Sequence, residues 1–181
     1  MTKITVIGAG LAGCEAAHKL SSLGFSVRLC EMKPEKHTPA QKSDGFAELV
    51  CSNSLKAMRL ESAAGLLKEE MRRLGSITME AAEKTAVAAG GALAVDRSLF
   101  SEYITEKIKS DPNIEIVTGE VTKLPEDGIV IAATGPLTSD ALAESLRSRF
   151  GGTLSFFDAV APIVTADSID MDKVFLGARY D

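Results

Sequence analysis

The chain has 181 residues, 45% hydrophobic and 25% charged, with 20 Lys plus Arg against 25 Asp plus Glu for a formal net charge of −5. That balance is globular and excludes a disordered chain and a dominantly basic nucleic-acid module, while leaving room for a local basic patch. No apolar run approaches the roughly 18 residues that span a bilayer, and Met1-Thr2-Lys3-Ile4 leads into a strand-like run rather than a signal peptide.

Ile4-Thr5-Val6-Ile7 is a short β-branched run bounded by glycine, suited to a buried parallel strand. Apolar Cys14, Ala17, Leu20 and Leu23 follow at helical spacing, and Gly24 ends that helix. Phe25 to Cys30 reads as a second strand, and a strand-helix-strand of this length calls for a parallel sheet with a right-handed crossover. Lys33 to Arg59 holds Pro34, Pro39 and Gly45 without sustained periodicity, which predicts a long loop with at most a short helix, of the kind that is usually functional or disordered. Helical spacing resumes at Leu66, Leu67, Glu70, Met71 and Leu74, a further short helix is read over Ile77 to Ala86, and Ala89-Gly90-Gly91-Ala92 interrupts it. Asp96 is a plausible N-cap for a helix carrying Leu99, Phe100, Tyr103, Ile104 and Ile108 on one face. After Asp111-Pro112-Asn113, residues Ile114 to Val121 form a strand pair or one bent strand. Gly128 to Ala133 is a continuous apolar run, read as a central parallel strand. Leu142, Leu146 and Phe150 mark a last helix face closed by Gly151-Gly152; one or two strands and an acidic turn are expected from Leu154 onward. There is no internal repeat.

The strongest local motif is Gly8-Ala9-Gly10-Leu11-Ala12-Gly13, set between strand and helix as a dinucleotide fingerprint requires. The first glycine permits the tight turn, the second lets the backbone approach a pyrophosphate, and the third lets helix and strand pack closely. The anion then sits on the N–H groups that open the helix. Glu31, at the end of the second strand, is placed to accept ribose hydroxyls and to repel a 2′-phosphate. The fingerprint alone leaves FAD and NAD open. Ala132-Ala133-Thr134-Gly135 resembles the second signature of two-dinucleotide-binding flavoproteins, as do Val95 to Phe100 and a strand near Val121 that would contact the adenine. On these grounds FAD is preferred.

Three cysteines without a Cys-x-x-Cys pair do not make a disulfide framework. Cys51, in the long loop, is the candidate reactive thiol, with Lys56 or a short helix N-terminus as possible assistance, against the bland reading of an inert small hydrophobe. Cys14 and Cys30 read as core. His37 reads as an exposed loop histidine before a general acid or base, and His18 as a packing residue. With no metal-ligand cluster and no calcium-loop spacing around Asp167, Asp170 and Asp172, no metal site is expected. Lys68, Arg72 and Arg73 read as the wet face of a helix rather than a phosphate site.

Taken together, Val6 to Gly13, Glu31-Met32-Lys33-Pro34, Thr38-Pro39-Ala40, Phe46 to Leu55, Gly90 to Arg97, Ala133 to Ser139, Phe156 to Val164, Ser168-Ile169-Asp170 and Arg179-Tyr180-Asp181 resemble the folate- and FAD-dependent tRNA (uracil-5-)-methyltransferase family, in its N-terminal portion. The resemblance runs end to end. It implies an α/β, Rossmann-like FAD-binding domain of the two-dinucleotide-binding flavoprotein type, truncated, with residues 1–155 as the FAD-binding part and 156–181 as a connection into an insertion domain. It implies a bacterial enzyme making 5-methyluridine in the tRNA T-loop, with 5,10-methylenetetrahydrofolate and NAD(P)H as co-substrates; the cysteine usage and the lack of a signal peptide or spanning run read as a cytoplasmic protein, and oligomeric state is left unassigned. By position, Gly8, Ala9, Gly10, Leu11, Ala12, Gly13 and Glu31 would hold FAD, Val121 would meet adenine, Thr134 and Gly135 would line the second edge, and Cys51 matches a cysteine assigned to catalysis. Family members are longer and carry a second functional cysteine further on, so the expectation for these 181 residues alone is an inactive fragment. The alternatives are a related flavoprotein of the carboxymethylaminomethyluridine type, or a non-catalytic FAD- or nucleotide-binding module.

Overall fold

The structure, a computed structural model, describes residues 4–151 and 166–174. The strands expected from Leu154 onward, the Phe156 to Val164 segment and Arg179-Tyr180-Asp181 lie outside the described residues.

Strand β1 (Ile4–Ile7), helix α1 (Leu11–Ser22) and strand β2 (Val27–Glu31) form the expected opening unit. β1 pairs in parallel with β2, Ile4 opposite Val27 and Ile7 opposite Cys30. β6 (Ile114–Thr118) and β7 (Ile129–Ala132) complete a four-stranded parallel sheet in the order β6-β2-β1-β7. All four β1 residues are buried, as both covered faces of an α/β sheet require. Ile114 to Val121 resolves into the single strand β6 followed by irregular chain that carries Val121.

The expectation that Gly128 to Ala133 is a central strand is corrected. β7 stands at the edge of this sheet among the described residues, paired only with β1, and Ile129 is 52% exposed. A continuous apolar run records a demand for burial but does not say which neighbours a strand will have.

α1 buries Cys14, Ala17 and Ser21, and its chain direction reverses at Gly24 (φ 84°). Leu23, expected on the buried face, is exposed because it is the C-cap and falls past the last packed turn. α3 (Ile77–Lys84) docks on α1 through Glu15, whose Oε2 accepts from Ser76 Oγ at 2.9 Å, Thr78 N at 3.2 Å and Thr78 Oγ1 at 2.7 Å. A carboxylate at a helix N-terminus is favoured by the macrodipole as well as by these bonds. α4 (Arg97–Lys109) is capped by Asp96, which accepts from Ser98 N at 2.9 Å and Leu99 N at 3.0 Å, as its sequence predicts. Phe100, Ile104 and Ile108 form its buried stripe. Leu99 is exposed, since adjacent helical residues point about 100° apart and only one of Leu99 and Phe100 can face the core. In α5 (Asp140–Phe150) Leu142 is buried but Phe150, also expected inward, is exposed in the final turn before Gly151.

Within the predicted loop, Ser54–Ala57 forms β3, which joins β5 (Ala92–Val95) and β4 (Ala86–Val87) in an antiparallel sheet ordered β3-β5-β4. Its irregular pairing, with Lys56 at φ 68°, explains why no strand pattern announces it. α2 (Ala63–Arg73) lies over β3 with its apolar pattern only partly followed: Met71 packs against the core, as its spacing predicts. Leu66 and Leu67 are exposed, whereas Lys68, expected on the wet face, is 8% exposed. Lys68 Nζ donates to Ala57 O and Ala64 O, both at 2.9 Å, and burial, followed by the nearby Lys56 charge, holds its ammonium below the usual lysine range. Gly65 lets this helix close on the turn that leads into it: a Cβ there would stand 1.9 Å from Arg59 O. No helix of the described residues is long and apolar enough to cross a membrane.

Candidate functional site: a nucleotide cleft at the carboxyl ends of the parallel strands

Four parallel strands end on one side of the sheet, and the loops that leave them enclose a cleft of about 400 Å3. Open α/β sheets bind ligands at this edge. Of the sequence-predicted residues, Gly8, Gly10, Leu11, Ala12, Glu31, Val121, Thr134 and Gly135 line it. Ala9 and Gly13 sit behind the lining and shape it.

The fingerprint glycines play three distinct steric parts. Gly8 has φ 96°, and a Cβ on it would come within 2.8 Å of Ala133 O at the end of β7. A Cβ on Gly13 would lie 1.7 Å from Gly8 O, so α1 closes on the turn only without a side chain there. Gly10 is exposed and a Cβ on it would meet nothing within 4 Å, which leaves the backbone open to the cleft. Gly10 is also the N-cap of α1; it supplies no side-chain acceptor, and the first turn holds no acid. The helix therefore presents an uncapped positive end to the cleft, the arrangement that receives an anion.

Glu31 ends β2 and is 5% exposed. Its Oε2 accepts from Ala9 N at 2.6 Å and its Oε1 from Lys33 N at 3.0 Å, so the carboxylate is locked against the fingerprint turn while its remaining lone pairs are available to a ligand. Ala9 N–H is thus spent on Glu31. Ala9 O accepts from Ala47 N at 2.8 Å and from Cys14 Sγ at 3.3 Å. Burial, then the Glu31 charge, pushes the Cys14 thiol up to about 12, so it stays protonated and inert. Cys30 is buried too, as expected.

The Ala47–Ala9 bond binds the long loop to the turn. Phe46 N donates to Thr105 Oγ1 at 2.8 Å and Ser101 Oγ donates to Phe46 O at 2.6 Å, while Phe46, Ala47 and Leu49 are buried. Cys51 is exposed immediately beyond this anchored stretch; Val50 lines the cleft and Cys51 itself does not. His37 is exposed and its Nε2 pairs with Asp44 Oδ1 at 2.9 Å within the same loop. On the far side, Thr134 Oγ1 and Thr138 Oγ1 share a hydrogen bond of 2.6 Å, and Thr138 Oγ1 donates to Gly135 O at 3.0 Å. Asp170 belongs to an exposed turn where it pairs with Lys173 at 2.8 Å.

Sequence reasoning missed four charged groups around the cleft. Lys33 is buried, donates from Nζ to Gly45 O and, at 3.3 Å, to Ser43 O, and lies 3.8 Å from Glu48 Oε2. Lys36 Nζ donates to Glu120 Oε2 at 2.8 Å. Lys36, and after it the Ser139 side chain, hold the Glu120 carboxyl below the usual carboxylate range. Glu48 Oε2 and Glu120 Oε1 are buried without a hydrogen-bond partner among the described residues, and both residues line the cleft. No spacing signal identifies these groups: Lys36 and Glu120 are 84 positions apart.

Fold and cleft define a Rossmann-like α/β domain of the dinucleotide-binding class. The family described as Glucose inhibited division protein A matches residues 3–181, and the chain belongs to that family. It is 62% identical over 178 residues to methylenetetrahydrofolate–tRNA-(uracil-5-)-methyltransferase TrmFO of Geotalea uraniireducens (strain Rf4), a match covering 98% of this chain and 41% of that protein. The protein of the same name from Lactobacillus helveticus (strain DPC 4571) is 58% identical over 180 residues, with 98% of this chain and 44% of that one covered. The chain thus spans about two fifths of the length of these relatives. Among solved structures, Aquifex aeolicus GidA in its form II crystal aligns with a TM-score of 0.59 at 18% identity, over 75% of this chain and 25% of that one. The p-nitrophenol 4-monooxygenase PnpA of Pseudomonas putida DLL-E4 aligns at 0.53 and 17% identity, over 83% and 44%. At such identities these likenesses establish the fold.

Proposed function

We propose that this chain is the dinucleotide-binding part of an FAD- and folate-dependent tRNA (uracil-5-)-methyltransferase that forms 5-methyluridine in the T-loop. The observation that carries the reading is the cleft itself: an uncapped α1 N-terminus behind an open Gly10, with the Glu31 carboxylate beside it. The methyltransferase names of the relatives at 58–62% identity support the activity. The residues present fit FAD. The α1 amides take the diphosphate, Glu31 accepts the ribose hydroxyls, Val121 and its neighbours meet the adenine, and Thr134 and Gly135 border the far end. FAD, reduced at the expense of NAD(P)H, supplies the electrons that turn the methylene of 5,10-methylenetetrahydrofolate into a methyl group.

Uracil C5 is a weak nucleophile until a thiolate adds at C6, so such an enzyme needs an activated thiol. Cys51 is the thiol we assign to methyl transfer, as this nucleophile or as a proton-handling group beside the flavin. It is exposed next to cleft-lining Val50 and leaves the loop whose backbone is tied to Ala9. Cys14, buried and held protonated, is unsuited to the task.

The gene product carrying this sequence is expected to purify with a flavin absorbance spectrum and to methylate tRNA only when methylenetetrahydrofolate is supplied. A colourless protein that binds no flavin overturns the reading; methylation independent of folate redirects it to another flavin-dependent modification. Glu31→Ala should lower flavin occupancy, measured as the ratio of visible to ultraviolet absorbance. Cys51→Ala should abolish methyl transfer while the circular dichroism spectrum stays unchanged.

A further inference from the structure

We propose that the buried ion pair of Lys33 and Glu48 is a positioning device for methyl transfer: it fixes the chain that delivers Cys51 to the rim of the nucleotide cleft. The inference rests on the Cys51 assignment above and deepens it. Lys33 stands two residues after the ribose acid, and its side chain is 2% exposed. Its Nζ donates to Gly45 O and, at 3.3 Å, to Ser43 O, and faces Glu48 Oε2 at 3.8 Å. Two carbonyls and a carboxylate surround this ammonium, and Lys33 does not line the cleft, so its work is internal. Glu48 carries that work to the site. It lines the cleft three positions before Cys51, and its Oε1 accepts from Lys42 N at 2.9 Å. Its Oε2 is buried with no hydrogen bond among the described residues, and Lys33 answers its charge.

A buried ion pair is a poor source of stability. Desolvating two charges offsets most of their attraction, and replacing both by uncharged groups of like volume is often neutral. What the pair supplies is one arrangement of the chain. The backbone bonds that tie the long loop to α4 and to the fingerprint turn end at Ala47. Leu49 is held by burial, which has no direction. The Lys33–Glu48 pair is therefore the last directional contact before Cys51 among the described residues. The next anchor is Asn53, whose O accepts from Val95 N at 3.0 Å and whose Nδ2 donates to Val95 O at 3.1 Å. Cys51 rides on a short span held by the ion pair at the cleft end and by β5 at the other. Nucleotide binding does not need the Lys33 side chain, because it is the backbone N of Lys33 that donates to Glu31 Oε1.

The test compares the full-length enzyme with its Lys33→Met/Glu48→Gln double variant, which exchanges both charges for neutral side chains of like shape. Lys33→Met alone would strand a buried carboxylate and mix misplacement with unfolding. In the double variant kcat for methyl transfer should fall about tenfold or more, while flavin occupancy and the KM for tRNA stay within about twofold. The second readout needs no turnover: the rate at which iodoacetamide alkylates Cys51, followed by mass spectrometry of its peptide, with and without flavin. Thiol reactivity follows access, so bound flavin should slow the wild-type reaction about tenfold and that of the double variant about twofold or less. A wild-type kcat in the double variant, or unchanged flavin protection of its Cys51, overturns the proposal. So does a loss of flavin occupancy that parallels the loss of kcat, the mark of a purely structural role. If the double variant does not fold, Glu48→Gln alone decides: it keeps the Lys42 bond, and about threefold lower kcat with weakened protection is expected. Wild-type values there overturn the proposal. If flavin does not protect Cys51 in the wild type, the Cys51 reading fails and this assignment with it. If flavin protects it and Cys51→Ala is inactive, yet the ion-pair variants behave as wild type, only the ion-pair assignment fails.

Discussion

The fingerprint turn and the α2–β3 layer both depend on a glycine pressed against backbone, yet they are built on different physics. A Cβ would meet Gly8 O at 1.7 Å from Gly13 and Arg59 O at 1.9 Å from Gly65. Around Gly13 the packing is apolar and continuous: Val6, Cys14, Ala17 and Leu29 belong to the main core cluster. Around Gly65 it is polar, with Lys68 turned inward onto two carbonyls and Leu66 and Leu67 turned outward. The first region is held by burial that involves the whole sheet. The second is held by a few hydrogen bonds that can open by themselves.

Replacing each glycine with alanine separates these cases. Gly13→Ala should cost about 3 kcal/mol or more in global stability and abolish nucleotide binding, because helix and turn must part at the centre of the core. Urea denaturation and flavin retention check it. Gly65→Ala, despite a nearly equal clash, should release α2 locally while leaving most of the global unfolding free energy; hydrogen exchange should quicken in residues 63–73 and hardly change in β1 or α4. Equal losses of global stability for the two variants would refute the distinction.

Lys68→Met probes the polar layer more gently. It takes the ammonium donor from Ala57 O, while Ala64 O keeps the backbone N–H of its own helix, and should cost about 1–3 kcal/mol, read as faster exchange in α2. A neutral or stabilising result would mean that apolar burial, not the ammonium, holds this helix down.

The smallest expected effect lies on the remaining face, where Glu80 joins α3 to α4. Its hydrogen bond with Lys107, then those with Tyr103 and Lys84, hold its carboxyl down to about 2. A depressed carboxyl pKa contributes stability above the unfolded value of about 4.3, and that contribution is lost as pH falls from there toward 2. Solvent screening at this partly exposed site keeps the effect small. Glu80→Gln should flatten the pH dependence of the thermal midpoint in that window and leave its slope above pH 5 unchanged.

Much of the sheet and of the glycine turn's geometry was legible in the residues. Ile4 to Ile7, the steric parts of the glycine fingerprint, the place of Glu31 at the end of β2, the Asp96 cap and the stripe of Phe100, Ile104 and Ile108 all follow from residue type and spacing. Leu99, Phe150 and Leu66 misled because periodicity reports that a face exists, not whether neighbouring elements reach far enough to cover it. β3 escaped notice because its pairing with β5, rather than any pattern of its own, makes it a strand.

What the amino-acid sequence determined alone is the part governed by contacts within a few residues: a turn that only glycine can make and a helix opening without a cap. The tertiary structure alone decided that Ala9 N–H is spent on Glu31, that Lys68 faces inward, and that Lys36 meets Glu120. Those partners come from distant stretches of chain, and a charged side chain's burial depends on which donors and acceptors the fold brings to it.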